Sequence, residues 1–238
     1  MYLVNNYIGI NYMVKIDKAF VLTTKRLHKD RIPWIKDRWK NYPIEIKVMP
    51  DYTELGIEEK IKDRKFYNSR LKDNVRKMKE YSLYKNHIAL LKEIVEKKLD
   101  NILILEDDSY PTKLKSEIDN IKFPSDADIL YLGGFFGYPN SKILKHIEYT
   151  SRDMIIRIPD YRDNYLIKYW CAHAIYYKSW KKVKQILEVL LYYKPKPFDV
   201  LMSRYIHTRF KCFCLLPSVV VQDKGSDLNP KKNITPFT

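Results

Sequence analysis

The chain has 238 residues, 45% of them apolar, and 44 Lys and Arg against 29 Asp and Glu give it a formal net charge of +15. Wholesale disorder is excluded, one sizeable core is within reach, and the charge implies anionic partners: nucleic acid, anionic lipid, or phosphorylated and acidic substrates. No apolar run reaches ~18 residues, so no membrane span is predicted. The three cysteines, Cys171, Cys212 and Cys214, show no zinc spacing and read as reduced core residues.

Met1 to Tyr12 lacks the basic start and small-residue cleavage site of a signal peptide. Residues 1–17 read as an N-terminal extension, 18–228 as a single domain and 229–238 as a tail, with a cytoplasmic location expected. Lys18–Thr24 is predicted as a first buried strand. Lys25, Arg26 and Arg31 follow in a basic loop or a helix opening that runs on through Trp34, Ile35, Arg38 and Trp39. Basic groups after a first strand suit a diphosphate, and equally a solvated helix start. Beyond Pro43, Ile44–Met49 alternates as a half-buried second strand.

Glu54–Glu80 is charge-dense and predicts a surface helix. Ser82 reads as the N-cap of a better helix, with Leu83, His87, Leu90, Leu91, Ile94 and Val95 on one face. On spacing alone His87 is a core histidine. Leu114–Ile121 predicts a short helix, and Asp128–Gly134 a buried strand ending in glycines. Such a pair either admits a ligand close to the backbone or simply turns the chain. Ile155–Ile158 reads as an edge or hairpin strand, and Tyr169–Tyr177 is apolar around a single His173. Ser179 caps an amphipathic helix that Pro195 and Pro197 end. Phe198 opens another helix, with Asp199 in its first turn serving either the dipole or chemistry. Cys212–Gln222 is the last strand, interrupted by Pro217, and Asp227 lies in the polar loop beyond. Strands alternating with helices over short connections imply an α/β fold, its sheet mostly parallel and flanked by helices.

The stretch Asn101–Asp108 organises the rest. Ile102–Leu105 is an aliphatic strand running into Glu106, Asp107 and Asp108. Open α/β sheets bind ligands at such a carboxyl end. In an extended chain Glu106 and Asp108 share one face and Asp107 the other. Three adjacent acids form either a solvated turn or a hard oxygen site for Mg²⁺ or Mn²⁺ shared with substrate phosphates.

Taken in order, these motifs resemble glycosyltransferase family 25, the group related to lipooligosaccharide and collagen galactosyltransferases. The likeness rests on Phe20-Val21-Leu22 with its basic loop, Asn86-His87 before an aliphatic helix, and Leu103–Asp108. It continues through Asp128–Gly133, Ala172–Tyr176, Pro197-Phe198-Asp199, and Pro217, Gln222, Ser226 and Asp227. Asn86 stands where the family has serine. The resemblance implies a GT-A-like nucleotide-binding sheet and transfer of a sugar from a UDP-sugar, with inversion, to a glycan, lipid-linked saccharide or protein acceptor. It implies Mn²⁺ or Mg²⁺ held by Asp108 with Glu106, and donor contacts from Thr23, Lys25, Arg26, Arg31, His87, Glu106, Asp107, Gly133 and His173. Asp199 or Asp227 would be the base, and the basic surface would favour anionic acceptors or membrane faces. Two other readings stand beside this one: a metal-dependent nuclease, and a binding module that keeps the fold without the chemistry.

Overall fold

The computed structural model describes residues 11–24, 28–51, 74–137, 154–158, 168–216 and 218–222. In chain order these form β1 (Asn11–Met13), β2 (Lys18–Thr24), α1 (His28–Arg38), β3 (Ile44–Met49), α2 (Asn74–Glu96), β4 (Ile102–Glu106) and β5 (Ser109–Pro111). Next come α3 (Lys115–Asp119), β6 (Lys122–Pro124), β7 (Ile129–Gly137), β8 (Met154–Arg157) and β9 (Lys168–Tyr177). The chain continues as α4 (Trp180–Tyr192), α5 (Phe198–Leu201), a π-helical turn (Met202–Ile206), β10 (Cys212–Leu216) and β11 (Val220–Gln222).

Among the described residues seven strands make one sheet in the order β3-β2-β4-β9-β7-β10-β8. The expected α/β architecture is present, but the sheet is mixed rather than mostly parallel. β3, β2 and β4 run together, as do β7 and β10. β9 opposes both β4 and β7, and β8 opposes β10. A strand buried on both faces is an apolar run whichever way its neighbours point, so pattern alone cannot supply direction.

Alternation along each strand divides the core in two. Phe20, Leu22, Ile102, Ile104, Ile175 and Tyr177 face the helical layer of α2, α4 and α5, against Leu91, Ile94, Val183, Ile186 and Phe198. Ala19, Val21, Leu103, Leu105, Ala174 and Tyr176 face the other way, against Ile35 of α1, Trp39 just past its end, Ile118 and Phe123. Each fully buried Leu or Ile contributes about 1.5–3 kcal/mol of transfer energy. Cys212 and Cys214 point the same way, free and buried in the helical-side core. Burial raises both thiols above their usual range.

Several local expectations are corrected. Within the stretch expected as an N-terminal extension, β1 pairs with β6, and Val14 and Ile16 are buried. Ser82 is not a cap, because α2 starts at Asn74. The Ser82 hydroxyl instead donates to the Pro50 carbonyl at 3.2 Å, joined by Asn86 Nδ2 at 3.3 Å. Residues 54–73 of the predicted surface helix lie outside the described residues. β7 runs through its glycines instead of ending there, with register shifts on either side of Gly133. The last predicted strand is two strands in two sheets, since β11 leaves β10 to pair antiparallel with β5. The Ser179 cap is present, accepting from Lys181 N at 3.3 Å.

Helix α2 ends in a left-handed reversal that aims the chain into β4. Leu99 N donates to Ile94 O at 3.0 Å and Lys98 N to Val95 O at 3.2 Å, the paired bonds of a Schellman motif. Lys98 takes the left-handed position at φ 52° that glycine usually holds. Among the described residues no helix is long and apolar enough to cross a membrane.

Candidate functional site

Three parallel strands, β3, β2 and β4, end on one edge of the sheet, with Glu106 level with Leu22. The acids occupy a tight turn between β4 and β5. Ser109 Oγ donates back to the Glu106 carbonyl at 2.6 Å, and Trp39 Nε1 donates to the Ser109 carbonyl at 3.0 Å. Trp39 is fully buried, so the turn is tied to the core before any side chain of the triplet is considered.

The three acids have different partners. Asp107 accepts from Thr23 Oγ1 at 2.6 Å and from Arg31 Nη1 at 2.8 Å, both partners on the α1 side of the turn. A buried carboxylate so paired is compensated as an anion. Thr23 and Arg31, expected among the donor contacts, are both bonded to Asp107. Glu106 and Asp108 share another donor: Gln222 Nε2 lies 3.0 Å from Glu106 Oε2 and 3.4 Å from Asp108 Oδ1. The β5–β11 pairing sets Gln222 opposite Ser109 and so delivers the amide.

Glu106 is held well above the usual carboxylate range. Burial is the main cause, followed by the neighbouring charges of Asp108, Asp107 and Asp199; the Gln222 amide opposes them. Asp199 therefore belongs to the same electrostatic neighbourhood as the triplet, although it stands on a different element. Its Oδ1 accepts from Val200 N at 2.7 Å. The residue before it, Phe198, stacks on His87 with ring centroids 4.0 Å apart and planes 9° from parallel. His87 Nε2 comes to 4.0 Å from Glu106 Oε1, and burial lowers the imidazole to about 3. The resemblance-implied residues Thr23, Arg31, His87, Glu106, Asp107, Asp108 and Asp199 are thus assembled at or beside one edge.

His173 and Gly133 are near this edge but occupied with each other. His173 Nε2 is 3.2 Å from the Val220 carbonyl, and burial lowers the ring to about 4. A Cβ on Gly133 would collide with His173 Nε2 and with the Val220 oxygen. The close approach that the glycine permits is therefore made by the protein's own His173 and β11. Lys25, Arg26 and Asp227 lie outside the described residues. Trp39 and Ser109 escape the sequence reading as site residues. Gln222 enters it only as one member of a motif order, because its reach to Glu106 spans 116 positions.

Among the described residues no group of three or more His, Cys, Asp and Glu side chains forms a ready metal cage. Asp107 is paired with Arg31, and Glu106 and Asp108 lie together at Gln222. Two carboxylates completed by phosphate oxygens and water is the donor set Mg²⁺ and Mn²⁺ take at nucleotide sites. The charge excess around Glu106 is of the sign a cation relieves. The residues present fit a divalent ion that arrives with an anionic substrate. No known family model matches the chain, and no curated protein matches it.

Proposed function

We propose that the protein is a metal-dependent, GT-A-type glycosyltransferase that moves a sugar from a UDP-sugar to a hydroxyl of a glycan, lipid-linked saccharide or protein. One observation carries the reading: at the carboxyl edge of three parallel strands, Asp107 is bonded to Arg31 while Gln222 reaches both Glu106 and Asp108. This leaves two carboxylates, one of them strained as an anion, where an α/β sheet binds nucleotides. The choice of UDP and of a sugar rests on the motif order and its resemblance to glycosyltransferase family 25.

Glu106 and Asp108 would hold Mn²⁺ or Mg²⁺. When bound, the ion supplies Lewis-acid stabilisation of the diphosphate. The chain's own residues do the rest. Gln222 fixes the two carboxylates relative to each other. Trp39 and Ser109 hold the turn rigid, so little reorganisation accompanies the reaction. Asp199 is assigned as the base. The acceptor oxygen bonds to the anomeric carbon as the bond from that carbon to the β-phosphate oxygen breaks. The acceptor proton passes to the Asp199 carboxylate, and UDP leaves with the electron pair. The net charge of +15 supports an anionic acceptor or surface.

The test is calorimetric titration of UDP into the protein with and without Mn²⁺ at moderate salt. Micromolar binding that needs the metal is expected. Absence of binding under both conditions would sink the proposal. Salt-steep binding of DNA or RNA in its place would transfer the acids to phosphodiester chemistry.

A further inference from the structure

His87 is a polar side chain that the core does not use. It is fully excluded from solvent, and neither Nδ1 nor Nε2 makes a hydrogen bond among the described residues. A buried polar group left unbonded costs about 1–3 kcal/mol, and native proteins seldom carry that cost without a reason. A phenylalanine would fill the same layer, since the ring already lies flat against Phe198. Periodicity therefore accounts for a flat apolar ring at position 87 and not for its nitrogens.

The nitrogens have a direction. Nε2 stands 4.0 Å from Glu106 Oε1, beyond hydrogen-bond distance but with no other described acceptor bonded in between. The other oxygen of the same carboxylate, Oε2, already accepts from Gln222 at 3.0 Å. An imidazole carries at least one N–H in either protonation state, so it has one to give. Carboxylates that hold metal ions are themselves held by outer hydrogen bonds. Glu106 has one such partner in place and a second candidate just short of contact.

We infer that His87 is a positioning residue for Glu106: in the cation-loaded protein its Nε2–H donates to Glu106 Oε1, clamping the carboxylate between His87 and Gln222. The inference deepens the proposed function and rests on Glu106 holding a cation. The stack on Phe198 gives it a second consequence. Phe198 precedes Asp199, so the ring that steadies Glu106 also braces the start of α5, which carries the assigned base.

Two substitutions separate this role from simple packing. His87→Phe keeps a flat ring on Phe198 and removes the donor; His87→Gln removes the ring and keeps an amide donor at the reach of Nε2. Mn²⁺ affinity of the full-length protein, measured by calorimetry with UDP present, is the readout. His87→Phe is expected to weaken Mn²⁺ by roughly 10–100-fold, as loss of an outer hydrogen bond does, while unfolding no earlier than the parent. His87→Gln should recover most of that affinity. Unchanged Mn²⁺ affinity in His87→Phe overturns the inference and leaves the glycosyltransferase reading standing. Should the parent protein bind no Mn²⁺, that reading falls, and a thermal double-mutant cycle of His87→Phe with Glu106→Gln decides whether the two side chains act on each other. Non-additive shifts in Tm keep the His87–Glu106 link; additive shifts end it.

Discussion

Asp128 and Glu106 sit in the same sheet and are buried alike, their side chains 10% and 12% exposed. Asp128, just before β7, is fully provided for: Lys182 Nζ lies 3.0 Å from Oδ1 and the Lys211 amide donates to Oδ2 at 2.9 Å. Glu106, at the end of β4, is surrounded by Asp108, Asp107 and Asp199, with one neutral amide in support. Burial is therefore not what distinguishes a site. One acid is closed by a cation and a backbone amide, which is what a structural carboxylate needs. The other is held among like charges, an arrangement that favours a protein only when something else supplies the missing charge.

Removing the proposed ligand group should give the largest effect. Asp108→Ala is expected to abolish metal-dependent UDP binding, a loss exceeding the roughly 10–100-fold that even an outer partner costs, with an unchanged circular dichroism spectrum. Unaltered UDP affinity would remove Asp108 from the site. The reciprocal change is Asp128→Ala, which strands the Lys211 amide and should cost about 1–3 kcal/mol in urea unfolding. UDP affinity measured well below the unfolding midpoint should not move; a parallel loss of binding would erase the distinction between the two acids.

Glu106→Gln tests the strain directly. Because the folded carboxyl is raised above its unfolded value, its contribution to stability is complete below the usual carboxylate range and lost as pH rises through the folded value. Without metal near pH 7, the variant should therefore melt about 2–4 °C higher than the parent, the change that about 1 kcal/mol produces in a domain of this size. The gap should close as pH falls toward 4.5, and Mn²⁺ should stabilise the parent alone. A variant that melts lower at pH 7 would show that Glu106 is compensated after all. The smallest effect serves as a control. Lys98→Gly relieves the left-handed residue at φ 52° and should add about 0.5–1 kcal/mol. Scanning calorimetry should register the gain while UDP and Mn²⁺ titrations stay as they were.

Much of this arrangement is legible along the chain, and the remainder has a common cause. The strand Ile102–Glu106, its acidic turn, the amphipathic α4 and the Ser179 cap are local, and local patterns report them. What escapes is pairing over distance. The Arg31–Asp107 bond spans 76 positions and converts an expected phosphate ligand into the counter-ion of an acid. β9 lies between β4 and β7 and runs opposite to both, a direction to which hydropathy is blind. Ser82 is a strong cap signal that loses to tertiary context, since its hydroxyl finds the Pro50 carbonyl while the helix continues past it.

The place of β9 also orders events in time. β2, β3 and β4 are all present once residue 106 has been made, but the second edge of β4 is filled by residues 168–177. The amide that bridges Glu106 and Asp108 comes from residue 222. Contacts of such separation close slowly, after the chain entropy of the intervening loop has been lost. A folding intermediate made of the parallel trio alone would carry its acids wet, mutually repelling and open on one side. The charged edge is thus a late product of folding, finished by a strand synthesised more than a hundred residues after the carboxylates it arranges.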